Sequence, residues 1–232
     1  MMEKILFYMQ KKEVALTAGI CALFFLFLIL IRIVRRKRKA KDVLNMESET
    51  ETASEKESVS IGREGEAVIA SILEEIPSKH KKLIHDIVLK NHAEKTTQID
   101  HILINEAGIF VIETKNYKGV IYGTKEGLHW YQYLNRKKFN FYNPIRQNEI
   151  HIRRLKEILG DEYPYHSIVV FVKNDLKKVN FANVIHAEDL EQYILSYDEK
   201  HLCRADMKKI YKTLSSIQKK NHLHVFQQED VA

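Results

Sequence analysis

The stretch from Gln98 to Lys115, QIDHILINEAGIFVIETK, constrains the fold more than any other part of the chain. Two apolar, β-branched runs flank Asn105-Glu106-Ala107-Gly108, a short polar turn ending in glycine, which predicts an antiparallel hairpin. A register centred on Glu106-Ala107 sets Ile104 opposite Ile109, Ile102 opposite Val111, Asp100 opposite Glu113 and Gln98 opposite Lys115. Alternation puts these side chains on one face, apolar near the turn and polar at the far end. Directly opposed β-carbons lie about 4.5–5.5 Å apart. Two carboxylates at about 5 Å repel by roughly 3 kcal/mol at an effective dielectric of 20. A pair selected for stability alone avoids that cost. A divalent cation that favours hard oxygen ligands, Mg²⁺ or Mn²⁺, turns it into an attraction. Lys115 adds a positive charge on the same face, suited to a phosphate oxygen. A solvated face, or a one-residue slip of register, is the competing reading on these residues alone.

Around this hairpin the chain alternates between helical and strand patterns. Ile61, Val68, Ile69, Ile72, Leu73 and Ile76 recur at helical spacing and stop at Pro77. Glu66 shares the stripe of Ile69, Ala70 and Leu73, so it is either paired, metal-bound, or simply favoured by the first helical turn. Strands are predicted at 83–89, 98–104, 108–115, 120–123, 128–134, 137–142, 166–172 and 183–186. Asn143-Pro144 opens a helix that runs to Gly160, and further helices cover 187–196 and 204–220. The expected fold class is α/β, with a mixed central β-sheet flanked by helices. Residues 60–175 form its core and 176–232 a C-terminal βα extension of the same domain.

The N-terminal quarter reads differently. Val14 to Ile31 is an uncharged apolar run of eighteen residues, long enough at about 1.5 Å per residue to span a bilayer core. Seven basic residues follow between Arg32 and Lys41, a stop-transfer pattern rather than a cleavage site. The expectation is a short tail at 1–13, one N-terminal transmembrane helix at 14–34 and a basic, then acidic, flexible tether at 35–59. The positive-inside rule places the N-terminus outside and the globular domain in the cytoplasm, as a single-pass protein of the cell membrane. The 32–41 cluster also suits anionic lipid headgroups. It accounts for the formal charge of +6, so the globular part is not strongly basic. Cys21 and Cys203 are too few for a disulfide scaffold or a four-thiolate zinc site. Phosphate-loop, zinc-helix and nucleophile-elbow motifs are absent from the sequence.

Several pieces, taken in order, carry a resemblance: GREGE at 62–66, QIDHILI at 98–104, GIFVIETKNYKGVIYG at 108–123, Trp130, and NPIRQN at 143–148. With these the chain resembles the NERD (nuclease-related domain) family within the PD-(D/E)XK nuclease superfamily. The resemblance implies Mg²⁺-dependent cleavage of nucleic acid, with Glu66, Asp100 and Glu113 as metal ligands and Lys115 as the catalytic lysine. Ile99 stands where the superfamily has proline. Gln147, followed four residues later by His151, is similar to a glutamine-tyrosine helix that lines the site in some relatives, with histidine in the place of tyrosine. A polar helix face in water explains the same spacing.

Tyr117 and Lys118, on a loop, are candidates for gripping phosphate backbone, and Gln98 and His151 for touching substrate. Trp130 reads as core. The function expected is a membrane-anchored metal-dependent nuclease acting on nucleic acid, DNA ahead of RNA. The alternative is a catalytically inactive nuclease-like module that binds DNA or protein at the membrane.

Overall fold

A computed structural model describes Met2 and residues 58–77, 80–90 and 95–229. Contacts separate Met1–Ser58 from Val59–Ala232, and the second unit is the one described below. The expected tail, transmembrane helix and tether lie outside the described residues, apart from Met2, Ser58 and Val59. Ser58 and Val59 are already helical. Among the described residues no helix is long and apolar enough to cross a membrane.

Helix α1 covers 58–75 and leads to β1 (Lys82–Lys90), β2 (Thr96–Asn105) and β3 (Gly108–Lys115). Next come β4 (Val120–Tyr122), β5 (His129–Leu134), β6 (Lys137–Tyr142) and α2 (Pro144–Leu159). The chain continues through β7 (Tyr165–Phe171), β8 (Asp175–Lys178), β9 (Val184–His186), α3 (Leu190–Leu195) and α4 (Arg204–Glu229).

The central sheet has five strands in the order β1-β2-β3-β7-β9. It is mixed: β1, β2 and β3 run antiparallel, whereas β7 joins β3, and β9 joins β7, in parallel. β3 lies between two partners and is buried from Gly108 to Thr114, which is why its sequence is nearly continuously apolar. One face packs Ile102, Ile104 and Val111 against Leu155 of α2 and Met207, Ile210 and Leu214 of α4. The other packs Leu103, Phe110 and Ile112 against Ile69 and Leu73 of α1 and Leu190 and Ile194 of α3. The expected α/β fold, a mixed central sheet flanked by helices, is the one observed.

Strands β4, β5 and β6 do not extend that sheet. They join β8 in a second sheet of order β6-β5-β4-β8, where a single sheet was expected and β8 was not. The reason is visible in the third apolar cluster. Ile121 and Trp130 pack on Val169 and Phe171 of β7, so the small sheet lies against the large one instead of continuing its ladder. Trp130 is fully buried and its ring is parallel to that of Phe171. Gly123 makes room for it, because a β-carbon there would lie 2.3 Å from the indole. The β5–β6 turn places Asn135 and Arg136 both at positive φ, the two-residue geometry that follows strand twist.

Candidate functional site

The two ends of the β2–β3 hairpin obey different rules. From the turn outward the ladder follows the expected register, Asn105 with Gly108, Ile104 with Ile109 and Ile102 with Val111, and it ends at His101 with Ile112. The expected Asp100–Glu113 and Gln98–Lys115 pairs are not made. Asp100 Oδ2 instead accepts the backbone N–H of Thr114 at 2.7 Å, replacing a strand carbonyl. The cause is competition between neighbours. β2 continues on β1, with Gln98 opposite Val88, while β3 continues on β7 as far as Lys115 opposite Phe171. Gln98 is exposed and takes no part in the cluster formed at this end.

Glu113 is the centre of that cluster and is only 1% exposed. Lys115 Nζ donates to its Oε1 at 2.5 Å and to Gln147 Oε1 at 3.2 Å. The other carboxylate oxygen, Oε2, lies 3.0 Å from His151 Nε2, and His151 Nδ1 lies 2.9 Å from Thr97 Oγ1. An ionised carboxylate only accepts, so Nε2 carries a proton, and Nδ1 shares a hydrogen bond with the Thr97 hydroxyl. Burial works against the Glu113 charge, but Lys115 and the His151 hydrogen bond outweigh it and hold the carboxyl below its usual range. Burial likewise opposes the Lys115 charge, yet Glu113 raises its pKa. Lys115 is therefore an ammonium at neutral pH.

Helix α2 supplies two of these partners because its start is firmly fixed. Asn143 Oδ1 caps Ile145 N–H, and Pro144 sits in the first turn. Asn148, fully buried, donates to the carbonyls of Val111 and Ile168, tying α2 to β3 and β7. His151 is thus buried against the sheet and Gln147 half-buried beside it, so this face of α2 is not a polar face in water.

Glu66 reaches the same end from α1. A β-carbon on Gly65 would come 2.6 Å from that of Asn116, so only glycine lets the helix lie directly on the residue after β3. Asn116 Nδ2 secures the contact by donating to Ile61 O at 2.7 Å. Burial, then Asp86 and Glu113, raises the Glu66 pKa. Burial, with Glu113 next in effect, pushes the Asp100 carboxyl up to about 8. Three of the expected residues therefore share one electrostatic environment, and Lys115 acts on both Glu66 and Asp100.

The sequence reading missed Asp86. It lies in β1 at φ 52, between the pairs His85–His101 and Ile87–Ile99, and so across from Asp100. Its signal was the consecutive polar pair His85-Asp86, which breaks the alternation of LIHDIVL. Thr97 and Asn148 carried no comparable signal. His85 and His101 meet across the strands with 2.7 Å between their Nδ1 atoms. Tyr117 is half-buried against Phe141, while Lys118 is exposed. Tyr117 is thus partly core, and it also acts electrostatically on Lys115.

On donor chemistry the cluster fits a hard divalent cation. Glu66, Asp86, Asp100 and Glu113 offer oxygens only, and burial, then neighbouring carboxylates, raises the Glu66 and Asp100 carboxyls. As the side chains stand, among the described residues no three His, Cys, Asp or Glu groups converge tightly enough to hold an ion. Both Glu113 oxygens are engaged by Lys115 and His151.

The family model described as "NERD: Nuclease-related domain" matches residues 61–172, which span Glu66, the hairpin and α2. An uncharacterized protein of Bacillus anthracis is 36% identical over 158 residues, 66% of this chain and 74% of that protein. No solved structure matches the chain significantly. The mixed sheet and the polar end of β3 are consistent with placement in the PD-(D/E)XK superfamily. The chain belongs to the NERD, or nuclease-related domain, family.

Proposed function

We propose that this protein is a metal-dependent nuclease that hydrolyses phosphodiester bonds in nucleic acid, DNA ahead of RNA. The observation that carries the reading is Lys115, a half-buried ammonium held between Glu113 and Gln147 where β2 and β3 part beside Asp100. Glu66, Asp100 and Glu113 would hold Mg²⁺ or Mn²⁺, which when bound supplies charge neutralisation for the phosphate and activation of a water. Lys115, kept protonated by Glu113, acts as a fixed positive charge toward a phosphate oxygen and not as a general base. Gln147 orients that ammonium, and the Thr97–His151 relay orients Glu113. Glu66 and Asp100 are half-buried, so the cluster opens to solvent on their side.

The proposal extends to location. The apolar run at 14–34 anchors the chain in the cell membrane with the nuclease domain in the cytoplasm, and the basic residues at 32–41 contact anionic lipid.

A second reading is a catalytically inactive module that binds DNA or protein at the membrane. It is favoured by the engagement of both Glu113 oxygens and by the lack of three converging ligands among the described residues. An assay with Mg²⁺ or Mn²⁺ on varied DNA and RNA separates the two. The nuclease reading expects cleavage that Asp100→Ala and Lys115→Ala each lower by about a hundredfold or more. Equal cleavage in these variants, or none in the parent chain alongside no divalent-ion binding by calorimetry, rejects it.

A further inference from the structure

The small sheet carries a surface that the candidate site does not use. Its register fixes two faces. Ile121, Trp130 and Phe141 share the inner face that packs on the large sheet. Tyr122, His129, Tyr131, Tyr133, Lys138 and Tyr142 share the outer one. That outer face is exposed: Tyr122, Tyr133 and Tyr142 each keep 38–41% of their surface in water. The rings are nonetheless ordered by one another. Tyr122 meets Tyr133 edge-on at 5.0 Å, and Lys138 Nζ sits 3.8 Å above the Tyr131 ring.

Two further observations mark the face as a docking surface. A groove of about 590 Å³ opens on it, lined by Tyr122, Leu128, His129, Tyr131 and the turn between Gly123 and Gly127. That volume falls within the range of about 300–1,000 Å³ usual for ligand sites. Lys138 lies on this face, and Lys118, Lys125, Arg136 and Lys137 lie elsewhere in the same segment from Asn116 to Tyr142, against a single acidic residue, Glu126.

The occupant must therefore present flat π-faces together with repeated negative charge. Single-stranded nucleic acid does both. A duplex hides its base faces in the stack, so only an unpaired strand can lay successive bases on tyrosine rings. A second copy of this chain is disfavoured, because a two-fold contact through this face would oppose the same basic residues to one another. β4 follows β3 in the chain after only four residues, Asn116 to Gly119.

We propose that the outer face of the small sheet is a stacking platform for single-stranded nucleic acid, with bases on Tyr131 and Tyr133 and phosphates on Lys138 and its basic neighbours. Its role as a substrate platform rests on the nuclease reading; the binding does not. The test uses the full chain in EDTA, where metal-dependent cleavage is off. Fluorescence anisotropy is read on a labelled oligothymidylate of about 12 nucleotides and on a matching duplex.

The single strand is expected to bind about tenfold or more tighter than the duplex at equal salt. Tyr131→Leu with Tyr133→Leu should weaken single-strand binding by about tenfold per ring, whereas Tyr131→Phe with Tyr133→Phe stays within about twofold. Crosslinking to iodouracil-substituted strands, followed by mass spectrometry, should map to residues 120–142 of the parent chain, independently of how any variant folds. The proposal is overturned if the folded leucine variant binds the single strand like the parent, if crosslinks fall only elsewhere, or if the substitutions disrupt self-association and leave oligonucleotide binding unchanged. Cleavage by a leucine variant with undiminished strand binding would sink the platform and spare the nuclease. Tyrosine-dependent binding without any cleavage would do the reverse.

Discussion

The apolar and polar ends of the β2–β3 hairpin are built from the same two strands, yet they solve different problems. Near the turn, Ile102, Ile104, Ile109 and Val111 are fully buried and paired in regular register, so backbone hydrogen bonds and apolar packing reinforce each other. At the far end the ladder stops, and side chains take over the pairing: Asp100 with Thr114 N–H, Lys115 with Glu113, His151 with Glu113. The lesson is that a strand can stay in its sheet while releasing one neighbour. β3 keeps β7 and gives up β2, and the gap becomes a polar site with a rigid floor.

Four substitutions bear on this contrast. The largest effect is expected for Lys115→Ala. It leaves a buried carboxylate without its main counter-charge and should lower unfolding stability by about 3–5 kcal/mol in urea titrations. A loss under about 1 kcal/mol would mean the polar end contributes little to the fold. At the apolar end, Ile102→Ala should cost about 2–5 kcal/mol through cavity formation, while divalent-ion affinity measured by calorimetry stays unchanged. Loss of ion affinity there would erase the distinction between the ends. His151→Ala should cost about 1–3 kcal/mol by leaving Glu113 Oε2 and the Thr97 hydroxyl without a partner.

The remaining effect is pH-dependent. Because the Asp100 carboxyl sits at about 8 when folded against an ordinary 3.8, the folded chain binds a proton that the unfolded chain releases, and stability falls as pH rises through that window. Asp100→Asn removes this loss. Its melting temperature in EDTA should match the parent near pH 4 and exceed it by about 2–4 °C near pH 8, for each kcal/mol removed. A constant difference across that range would contradict a raised Asp100 carboxyl.

Legibility in the sequence followed the same divide. The hairpin turn, its register to Ile102–Val111, helix α2 with its Asn143-Pro144 start, and the burial of Trp130 all rest on local periodicity and turn chemistry, and all were readable. The separate small sheet was not, because β8 has the sequence Asp-Leu-Lys-Lys and is a strand only by virtue of lying beside β4. Glu66, Asp100, Glu113 and Lys115 were chosen by chemistry, and the structure gathers them at one end of β3. The way they meet was not readable. Extrapolating the ladder put Asp100 directly opposite Glu113, whereas the parting of β2 from β3 depends on β1 and β7, both remote in sequence. Asp86 was hidden for a related reason. Its left-handed backbone breaks the strand pattern, and its neighbours lie on other elements.

The central claim is that the carboxylates at the polar end of β3 share one divalent cation. Crystals of the protein soaked in Mn²⁺ and measured at the manganese edge test it most directly. The account predicts one anomalous peak within coordination distance of Asp100 and Glu113, about 2.0–2.3 Å, with Lys115 Nζ released from Glu113 Oε1. No peak at millimolar Mn²⁺, with Lys115 and His151 still holding both Glu113 oxygens, would contradict it.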